Sequence, residues 1–408
     1  MSFEIETLEN GMRVICSPSN SDVVYCGVVV DAGTRDELPE ESGMAHFTEH
    51  MSFKGTTHRR SWSIINRMES VGGDLNAYTG KEETVYYCAV PLRHYVRAVD
   101  LLVDIVFNST YPQREMDKEV EVVIDEIESY NDNPSELIFD EFEGLVFRNH
   151  PLGRNILGDA ERLRSFHSSD MRRYADRLYR PERMVLYLYG NVSMKDLLRV
   201  VRRSVTDKAS ESRQSVLRIP PVTGYDATLY KQKRDTHQAH VMLGTRAFAA
   251  TDVRYLHLYL LNNILGGPGM NSRLNLSLRE RRGLVYMVES NVSCYTDTGI
   301  WSTYFGCDAH DVERCLRLIR KELQHLTDAP LSERVLSAAK RQLKGQIGIS
   351  YDNHENVAIG MGKRLLHYGK TLSRQQLCDQ LDALSAQDLW QTAQDVFAPE
   401  RLITLVYE

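Results

Sequence analysis

The stretch His46-Phe47-Thr48-Glu49-His50 contains the residue types from which a hydrolytic zinc site can be built. Two histidines four positions apart on a helix project from one face, so both can reach one zinc ion. The glutamate between them can accept a proton from a metal-bound water. The order is H-x-x-E-H, the inverse of the commoner H-E-x-x-H, and it is a zinc-peptidase arrangement. The motif therefore predicts metal-assisted hydrolysis.

A five-residue motif also arises by chance, and the alternative is a helix with two ordinary histidines and a solvated glutamate. A catalytic zinc site needs a third protein ligand and a position left open for water. The motif alone does not decide between these interpretations, so the rest of the chain has to supply the missing ligand.

The segment 115–130 is a candidate source of that ligand, because it is predicted to form an acidic amphipathic helix. Glu119 and Glu126 are two helical turns apart and share a face. Glu126 can complete a His-His-Glu site while Glu119 orients a ligand histidine, but spacing alone does not choose between them. We expect Glu121 and Glu128 to be solvated. The apolar stripe of this helix consists of Val120, Val123, Ile124 and Ile127.

The composition is that of an ordinary globular protein, with 408 residues, 42% hydrophobic and 26% charged. This length favours two domains. A net charge of -7 disfavours nucleic-acid binding and fits an acidic interior that attracts cationic peptides. No apolar run reaches the ~18 residues of a membrane span, and the N-terminus does not resemble a signal or transit peptide. We therefore expect a cytoplasmic protein with no membrane partner.

The seven cysteines are scattered and none forms a C-x-x-C pair. This pattern disfavours both a zinc ribbon and a disulfide scaffold.

A weak internal repeat relates the two halves of the chain. Gly33-Thr34-Arg35 recurs as Gly244-Thr245-Arg246 at an offset of 211 residues (244 minus 33), and the same offset aligns His46 with His257. Glu49 and His50 align with leucines, so the second copy is predicted to keep the helix without the metal ligands. The halves also end alike, with an R-P-E-R-M-V-L sequence at 180–186 and A-P-E-R-L-I-T at 398–404.

The hydrophobic pattern interleaves strands with long helices, which predicts an α+β fold of two homologous domains, each a mixed sheet flanked by helices. We place the first domain at 1–206, a polar, proline-bearing linker at 207–226 and the second domain at 227–408. Asn10-Gly11 predicts a hairpin turn. We expect helices near 41–53, 61–71, 92–108, 113–131, 135–147, 253–265, 310–327 and 331–350. We expect strands near 23–30, 75–79, 84–90, 183–190, 238–244, 285–294, 299–307 and 401–407.

A resemblance to a known family runs nearly from end to end of the chain and rests on five motifs, the first of which contains the H-x-x-E-H sequence. They are GMAHFTEHMSFKGT at 43–56, NAYT at 76–79, DEI at 125–127, HPLGR at 150–154 and RERRGLVY at 279–286. With these motifs the chain resembles the pitrilysin and insulin-degrading enzyme family of inverted zinc endopeptidases. Within that family it is most similar to short subunits like those of mitochondrial processing peptidase.

The resemblance implies a zinc site held by His46, His50 and Glu126, with Glu49 as general base. The family's third ligand lies 76 residues beyond the second histidine (126 minus 50), and its helper acid lies seven residues earlier, at Glu119.

The resemblance also implies roles for an arginine and a tyrosine seven residues apart, which match Arg279 and Tyr286. Either side chain can stabilise an oxyanion or hold the substrate backbone. Without the resemblance, a solvated helix arginine and a core strand tyrosine would be the favoured interpretation.

Asn76, Ala77 and Tyr78 match the family's substrate-binding edge strand, where an extended peptide can pair by strand addition. The alternative is an ordinary strand.

The segment 266–269, Gly-Gly-Pro-Gly, lacks the features of a phosphate loop and is interpreted as a helix end and turn. Related processing peptidases have a glycine-rich substrate loop here. Pro268 and Asn271 depart from its usual sequence, which argues against a dedicated presequence-processing peptidase.

Larger members of this family join two such halves into a clam-shell chamber, and this chain corresponds to one half. We therefore expect a homodimer with composite active sites, one zinc ion per chain, and peptides or unfolded segments as substrates. The alternative is a non-catalytic scaffold or peptide-binding subunit of a hetero-oligomeric peptidase. Such subunits typically lose the zinc ligands or the Arg-Tyr pair, whereas both sets are present here.

Overall fold

The computed structural model describes residues 3–205, 218–221, 227–234 and 236–408. Most of the linker predicted at 207–226 lies outside these residues. The described strands are β1 (Glu4–Thr7), β2 (Arg13–Pro18), β3 (Val23–Val30), β4 (Asp74–Thr79), β5 (Thr84–Pro91), β6 (Met184–Gly190), β7 (Leu229–Gln232), β8 (Ala239–Ala247), β9 (Val285–Cys294), β10 (Gly299–Cys307) and β11 (Ile403–Tyr407).

The helices of the described residues are interleaved with these strands. They are α1 (Met44–Ser52), α2 (Ser61–Glu69), α3 (Tyr95–Phe107), α4 (Gln113–Asn131), α5 (Pro134–Val146), α6 (Ala160–Ser165), α7 (Ser168–Leu178), α8 (Met194–Ser204), α9 (Arg254–Gly266), α10 (Val312–Asp328), α11 (Glu333–Ser350), α12 (His354–Tyr368), α13 (Arg374–Ala383) and α14 (Ala386–Val396). None of them is both long and apolar enough to cross a bilayer.

The two sheets repeat one strand order, which confirms the α+β fold of two similar halves. The first sheet runs β1-β2-β6-β3-β5-β4 and the second β7-β11-β8-β10-β9. In each sheet one pair is parallel, β2 with β6 and β7 with β11, and the other pairs are antiparallel. The similar sequences at 180–186 and 398–404 form equivalent turns that lead into β6 and β11. The internal repeat is therefore present in the structure as well as in the sequence.

The outer position of β4 in the first sheet bears on the functional site. Its hydrogen-bonded neighbour is β5, and it has no strand on its other side among the described residues. β9 has the equivalent outer position in the second sheet. Each strand therefore has one edge that no other described strand pairs with.

The chain forms two compact units that are discontinuous in sequence. The first contains Met1–Ser129, Arg154–Arg218 and Tyr351–Ser373, and the second contains Tyr130–Gly153, Ile219–Ser350 and Arg374–Glu408. The contiguous division at 1–206 and 227–408 therefore differs from the compact units. The physical reason is that α12 packs on β3 and β6, whereas α5 packs on β8 and β11.

Two glycines allow α12 and α5 to pack closely on the strands that they cover. A Cβ at Gly362 of α12 would lie 2.6 Å from the ring of Tyr187 on β6. A Cβ at Gly244 of β8 would lie 2.9 Å from the ring of Phe142 on α5. Each glycine removes a clash where a helix from one half of the sequence covers a strand from the other.

Most predicted elements are present with ends shifted by a few residues. The hairpin at Asn10-Gly11 joins β1 to β2 as expected. The helix predicted at 41–53 begins at Met44, because Gly43 has a φ of 88° and interrupts the helical path. A Cβ at Gly43 would also lie 2.9 Å from the carbonyl oxygen of Leu157. No range was predicted from the sequence for β7 or for the helices α6, α7, α8, α12, α13 and α14.

Candidate metal centre and active site

α1 carries the H-x-x-E-H motif in a buried position. His46 is 7% exposed and Glu49 9% exposed. The residue before the helix is Gly43, which has no side chain to cap it. The carboxylate of Glu37 does so instead, accepting hydrogen bonds from the backbone N–H groups of Gly43 at 3.3 Å and Ala45 at 2.8 Å. The helix is thus fixed at the end from which the motif starts.

Three donor atoms from α1 and α4 converge at one point. The Oε2 atom of Glu126 lies 3.9 Å from Nε2 of His46 and 3.6 Å from Nε2 of His50. Zinc–ligand bonds of ~2.0–2.2 Å in tetrahedral geometry place ligand atoms about 3.3–3.6 Å apart. The set therefore fits one zinc ion with small adjustments, and the 45% exposure of the Glu126 side chain shows access from solvent.

Glu119 lies on the other side of His50. Its Oε1 atom is 3.0 Å from Nδ1 of His50, and its Oε2 atom is 2.5 Å from Nζ of Lys54. A carboxylate that binds Nδ1 leaves Nε2 directed toward Glu126, as is common for metal-ligating histidines. The geometry thus puts Glu126 beside both Nε2 atoms and Glu119 behind one ring.

The electrostatics of the site keep His46 neutral. Burial, together with the nearby His50, lowers the pKa of His46 to about 3. Burial also lowers the pKa of His50, but the hydrogen bond to Glu119 and the surrounding carboxylates outweigh it, so the net shift is upward. A neutral imidazole offers the lone pair that a metal ion requires.

The two carboxylates next to the histidines shift in opposite directions. Burial raises the pKa of Glu49, although the hydroxyl group of Thr79 partly opposes this. Burial also tends to raise the pKa of Glu119, but hydrogen bonds from His50 and Lys54 lower it overall. Glu49 is thus the more basic of the two carboxylates, which suits a proton acceptor, whereas Glu119 stays ionised beside its partners.

β4 passes beside α1 and places the predicted substrate strand near the motif. Asn76 is exposed, and Ala77 and Tyr78 are half-buried. At the end of this strand, the hydroxyl group of Thr79 donates a hydrogen bond to Oε2 of Glu49 at 2.5 Å. An open edge next to a candidate base is a suitable place for an extended peptide.

Arg279 and Tyr286 come together in the second unit. Arg279 lies in the helical turn Asn275–Glu280, and its guanidinium carbon is 5.7 Å from the centre of the Tyr286 ring on β9. Tyr286 is 81% exposed, so it is not a core strand residue. Both side chains line an open cavity of about 530 Å³, together with Gly266 at the end of α9.

Sequence reasoning did not identify three residues that support the site: Glu37, which caps α1, Lys54, which pairs with Glu119, and Thr79, which binds Glu49. Lys54 had a signal, since it continues the four-residue spacing of the two motif histidines, although it lies two residues beyond the end of α1. Thr79 had a weaker one, since it alternates with Tyr78 along β4. Glu37 precedes the helix in an irregular segment, where no period indicates its direction.

Comparison with protein families gives two matches that follow one another along the chain. Residues 13–160 match the model described as insulinase, peptidase family M16. Residues 165–343 match the model described as the peptidase M16 inactive domain. The first match contains the H-x-x-E-H motif and Glu126, and the second contains Arg279 and Tyr286.

Two solved structures share the fold over the full length of this chain. A protease from Helicobacter pylori gives a TM-score of 0.94 at 19% identity, and the match covers 99% of that protease chain. A peptidase M16 inactive domain from Pseudomonas fluorescens gives a TM-score of 0.90 at 19% identity and is covered to 98%.

Sequence relatives match nearly as much of the chain. An uncharacterized zinc protease of Bacillus subtilis, YmxG, is 32% identical, and the match covers 98% of this chain and 97% of the relative. The mitochondrial-processing peptidase subunit beta of Rattus norvegicus is 31% identical, over 94% of this chain and 80% of the relative. With this identity over nearly its whole length, the chain belongs to the insulinase family of peptidases, family M16, whose members include zinc proteases.

Proposed function

We propose that this chain is a zinc-dependent endopeptidase that hydrolyses peptides or unfolded segments. The observation that carries the proposal is the convergence of His46, His50 and Glu126 beside the buried carboxylate of Glu49. Relatives named as zinc proteases support the same activity. A merely structural helix would not need two histidines and two glutamates around one point.

The side chains of the first unit divide the work among them. When bound, zinc supplies Lewis-acid chemistry, which lowers the pKa of water toward ~7 and polarises a carbonyl group. His46, His50 and Glu126 would hold it, and Glu119 fixes the ring of His50. Glu49 accepts the proton of the attacking water and passes it to the leaving amine.

Other residues bind the peptide. Asn76, Ala77 and Tyr78 on β4 offer main-chain groups to an extended substrate, which gains hydrogen bonds with little demand on its sequence. Arg279 and Tyr286 carry donors that suit an oxyanion or a backbone carbonyl. Their exposure and mutual contact support a functional role in the second unit.

We also propose that the active form is a homodimer that encloses a chamber, with the Arg279–Tyr286 pair of one chain serving the zinc site of its partner. The presence of both residue sets in one chain supports two equivalent sites per dimer. The relatives named as a subunit of mitochondrial-processing peptidase support an assembly of this general kind.

The direct test is cleavage of a quenched-fluorescent basic peptide before chelation, after chelation and after zinc is added back. We expect cleavage that the chelator abolishes and zinc restores. Absence of cleavage with one zinc ion per chain verified would contradict the proposal. It would favour the non-catalytic subunit, which peptide binding without turnover would then identify.

A further inference from the structure

Thr79 connects the edge strand to the candidate base. It is the last residue of β4, and its hydroxyl oxygen lies 2.5 Å from Oε2 of Glu49, although 30 positions separate the two residues in sequence. Successive side chains of a strand point to opposite faces, so Thr79 faces α1 while Tyr78 faces the other side of the sheet. Tyr78 accordingly packs in the cluster that includes α12.

The position of Thr79 is fixed by the turn that follows it. Thr79 pairs with Thr84 on β5, and the turn between them is closed by a hydrogen bond from the N–H of Gly80 to the carbonyl of Glu83 at 2.7 Å. The carboxylate of Glu83 is bound by two side chains of α12, one of which is Lys363 at 2.5 Å. The hydroxyl group therefore projects from a rigid support.

The geometry suits the orientation of a carboxylate. A threonine hydroxyl has one hydrogen, and donating it to Oε2 of Glu49 holds that oxygen in place. An O–H···O⁻ contact of this length is charge-assisted and strong. With Oε2 held, Oε1 is the oxygen left to accept a proton. β-branching also restricts the rotamers of Thr79, so less freedom is lost in making the contact.

We propose that Thr79 is a positioning residue, whose hydroxyl group holds Glu49 in the orientation for proton transfer. The inference rests on the proposed function, because it assigns Thr79 a task only if Glu49 is the base. It also links two parts of the site, since the strand that binds the peptide and the hydrogen bond that orients the base belong to the same element.

The test compares Thr79→Val, which keeps the shape and removes the hydroxyl group, with Thr79→Ser, which keeps the hydroxyl group. Loss of a hydrogen bond to a charged group predicts a fall in kcat of about 10- to 100-fold for the valine variant. We expect unchanged KM and zinc content, and near wild-type kcat for the serine variant. Thr79→Ala provides a second variant without the hydroxyl group should valine disturb folding.

The matched control is Thr84→Val. Thr84 is the direct neighbour of Thr79 across the strand pair; it is buried where Thr79 is half-buried, and its hydroxyl group donates to the carbonyl of Ala32 at 2.8 Å. The folded fraction of this variant should keep its kcat. Equal losses in the two valine variants, or in Thr79→Val and Thr79→Ser, would overturn the proposal.

Two further readouts separate orientation of the base from general damage. Thr79→Val should cause no additional loss when Glu49 is already glutamine, and an additive loss would contradict the proposal. Crystal structures of the zinc-loaded protein should show the Glu49 carboxylate rotated in Thr79→Val and unchanged in Thr79→Ser. An unrotated carboxylate would refute it. This structural readout does not require turnover, so it separates failure of this inference from failure of the peptidase function.

Discussion

Glu49 is the residue on which the proposed chemistry depends most directly. It does not belong to the converging donor set, so Glu49→Gln should retain one zinc ion per chain. Loss of a general base predicts a fall in kcat of about 10²- to 10⁴-fold. Peptide turnover and metal analysis on the same sample check this. The matched change Glu128→Gln, at an exposed position of α4, should leave turnover intact. Full activity of Glu49→Gln would remove the base from the mechanism.

Spacing in the sequence does not distinguish Glu126 from Glu119, but the two residues occupy different places in the structure. Glu126→Gln should abolish stoichiometric zinc binding, because its Oε2 atom faces both Nε2 atoms. Glu119→Gln should retain zinc with about 10- to 100-fold weaker affinity, since it acts by orienting His50. Competition with a chromogenic chelator measures both. The reverse outcome would exchange the two assignments.

The difference between these glutamates marks what residue spacing could predict. A helical period of 3.6 places residues seven apart on one face, but it does not say which of them meets α1. That depends on how α4 packs, and the packing of two helices is a tertiary property. The resemblance to a family identified Glu126, whereas the contact of Glu119 with Lys54 and the cap from Glu37 emerged only from the folded chain.

At the scale of elements, the turn between β4 and β5 is held by one buried charge. Burial raises the pKa of Glu83, but His367 and Lys363 outweigh it and bring the pKa to about 2, below an unfolded value of 4.5. The ionised side chain therefore adds stability that is present above pH 4.5 and is lost as the pH falls toward 2. The shift corresponds to about 3 kcal/mol.

Glu83→Gln should accordingly lower the free energy of unfolding by about 3 kcal/mol at pH 7. More than half of the difference from wild type should disappear by pH 3, because wild-type Glu83 then tends to be protonated in the unfolded chain. Urea unfolding at both pH values measures this. Glu69→Gln, at an exposed position of α2, should show no such difference. If the difference in free energy of unfolding between wild type and Glu83→Gln stayed constant with pH, the shifted pKa would be contradicted.

Elements with a strong period were predictable, and those without one were not. α4 and β10 were predicted almost to the residue, since one is a long amphipathic helix and the other an apolar strand. β7 is only four residues long and has no buried residue, so its sequence carries little signal. α12 was missed because it contains glycines and polar residues, and one of those glycines, Gly362, is explained only by the sheet beneath it.

At the scale of the whole molecule, mixing two inactive variants tests the composite site. Chains with Glu49→Ala lack the base and chains with Tyr286→Phe lack the phenol. If the pair serves the partner's zinc, a mixed dimer contains one site with both defects and one site with neither. We therefore expect activity to reappear on mixing after subunit exchange, measured by peptide cleavage. Mixtures that stay as inactive as their components would place all residues of a site in one chain.

The contiguous domains suggested by the repeat were the main point where pattern and structure diverged. The repeat correctly indicated two similar sheets. It could not indicate that α5 and α12 each cover the sheet of the other half, since an amphipathic helix does not specify which apolar face it will meet. The two compact units are discontinuous in sequence because α5 and α12 pack in this way.

The exchange of helices also sets the order in which the protein can mature on the ribosome. All six strands of the first sheet are made by residue 190, yet the face formed by Val29, Val85 and Tyr187 is covered by a helix that ends at Tyr368. At ~5–20 residues per second this interval lasts roughly 9–36 s. Throughout it, a nascent chain presents an uncovered apolar face, the kind of surface that chaperones bind. The unit that contains the zinc motif is thus begun first, yet it is completed only when Tyr351–Ser373 has been made, shortly before the last strand of the second sheet.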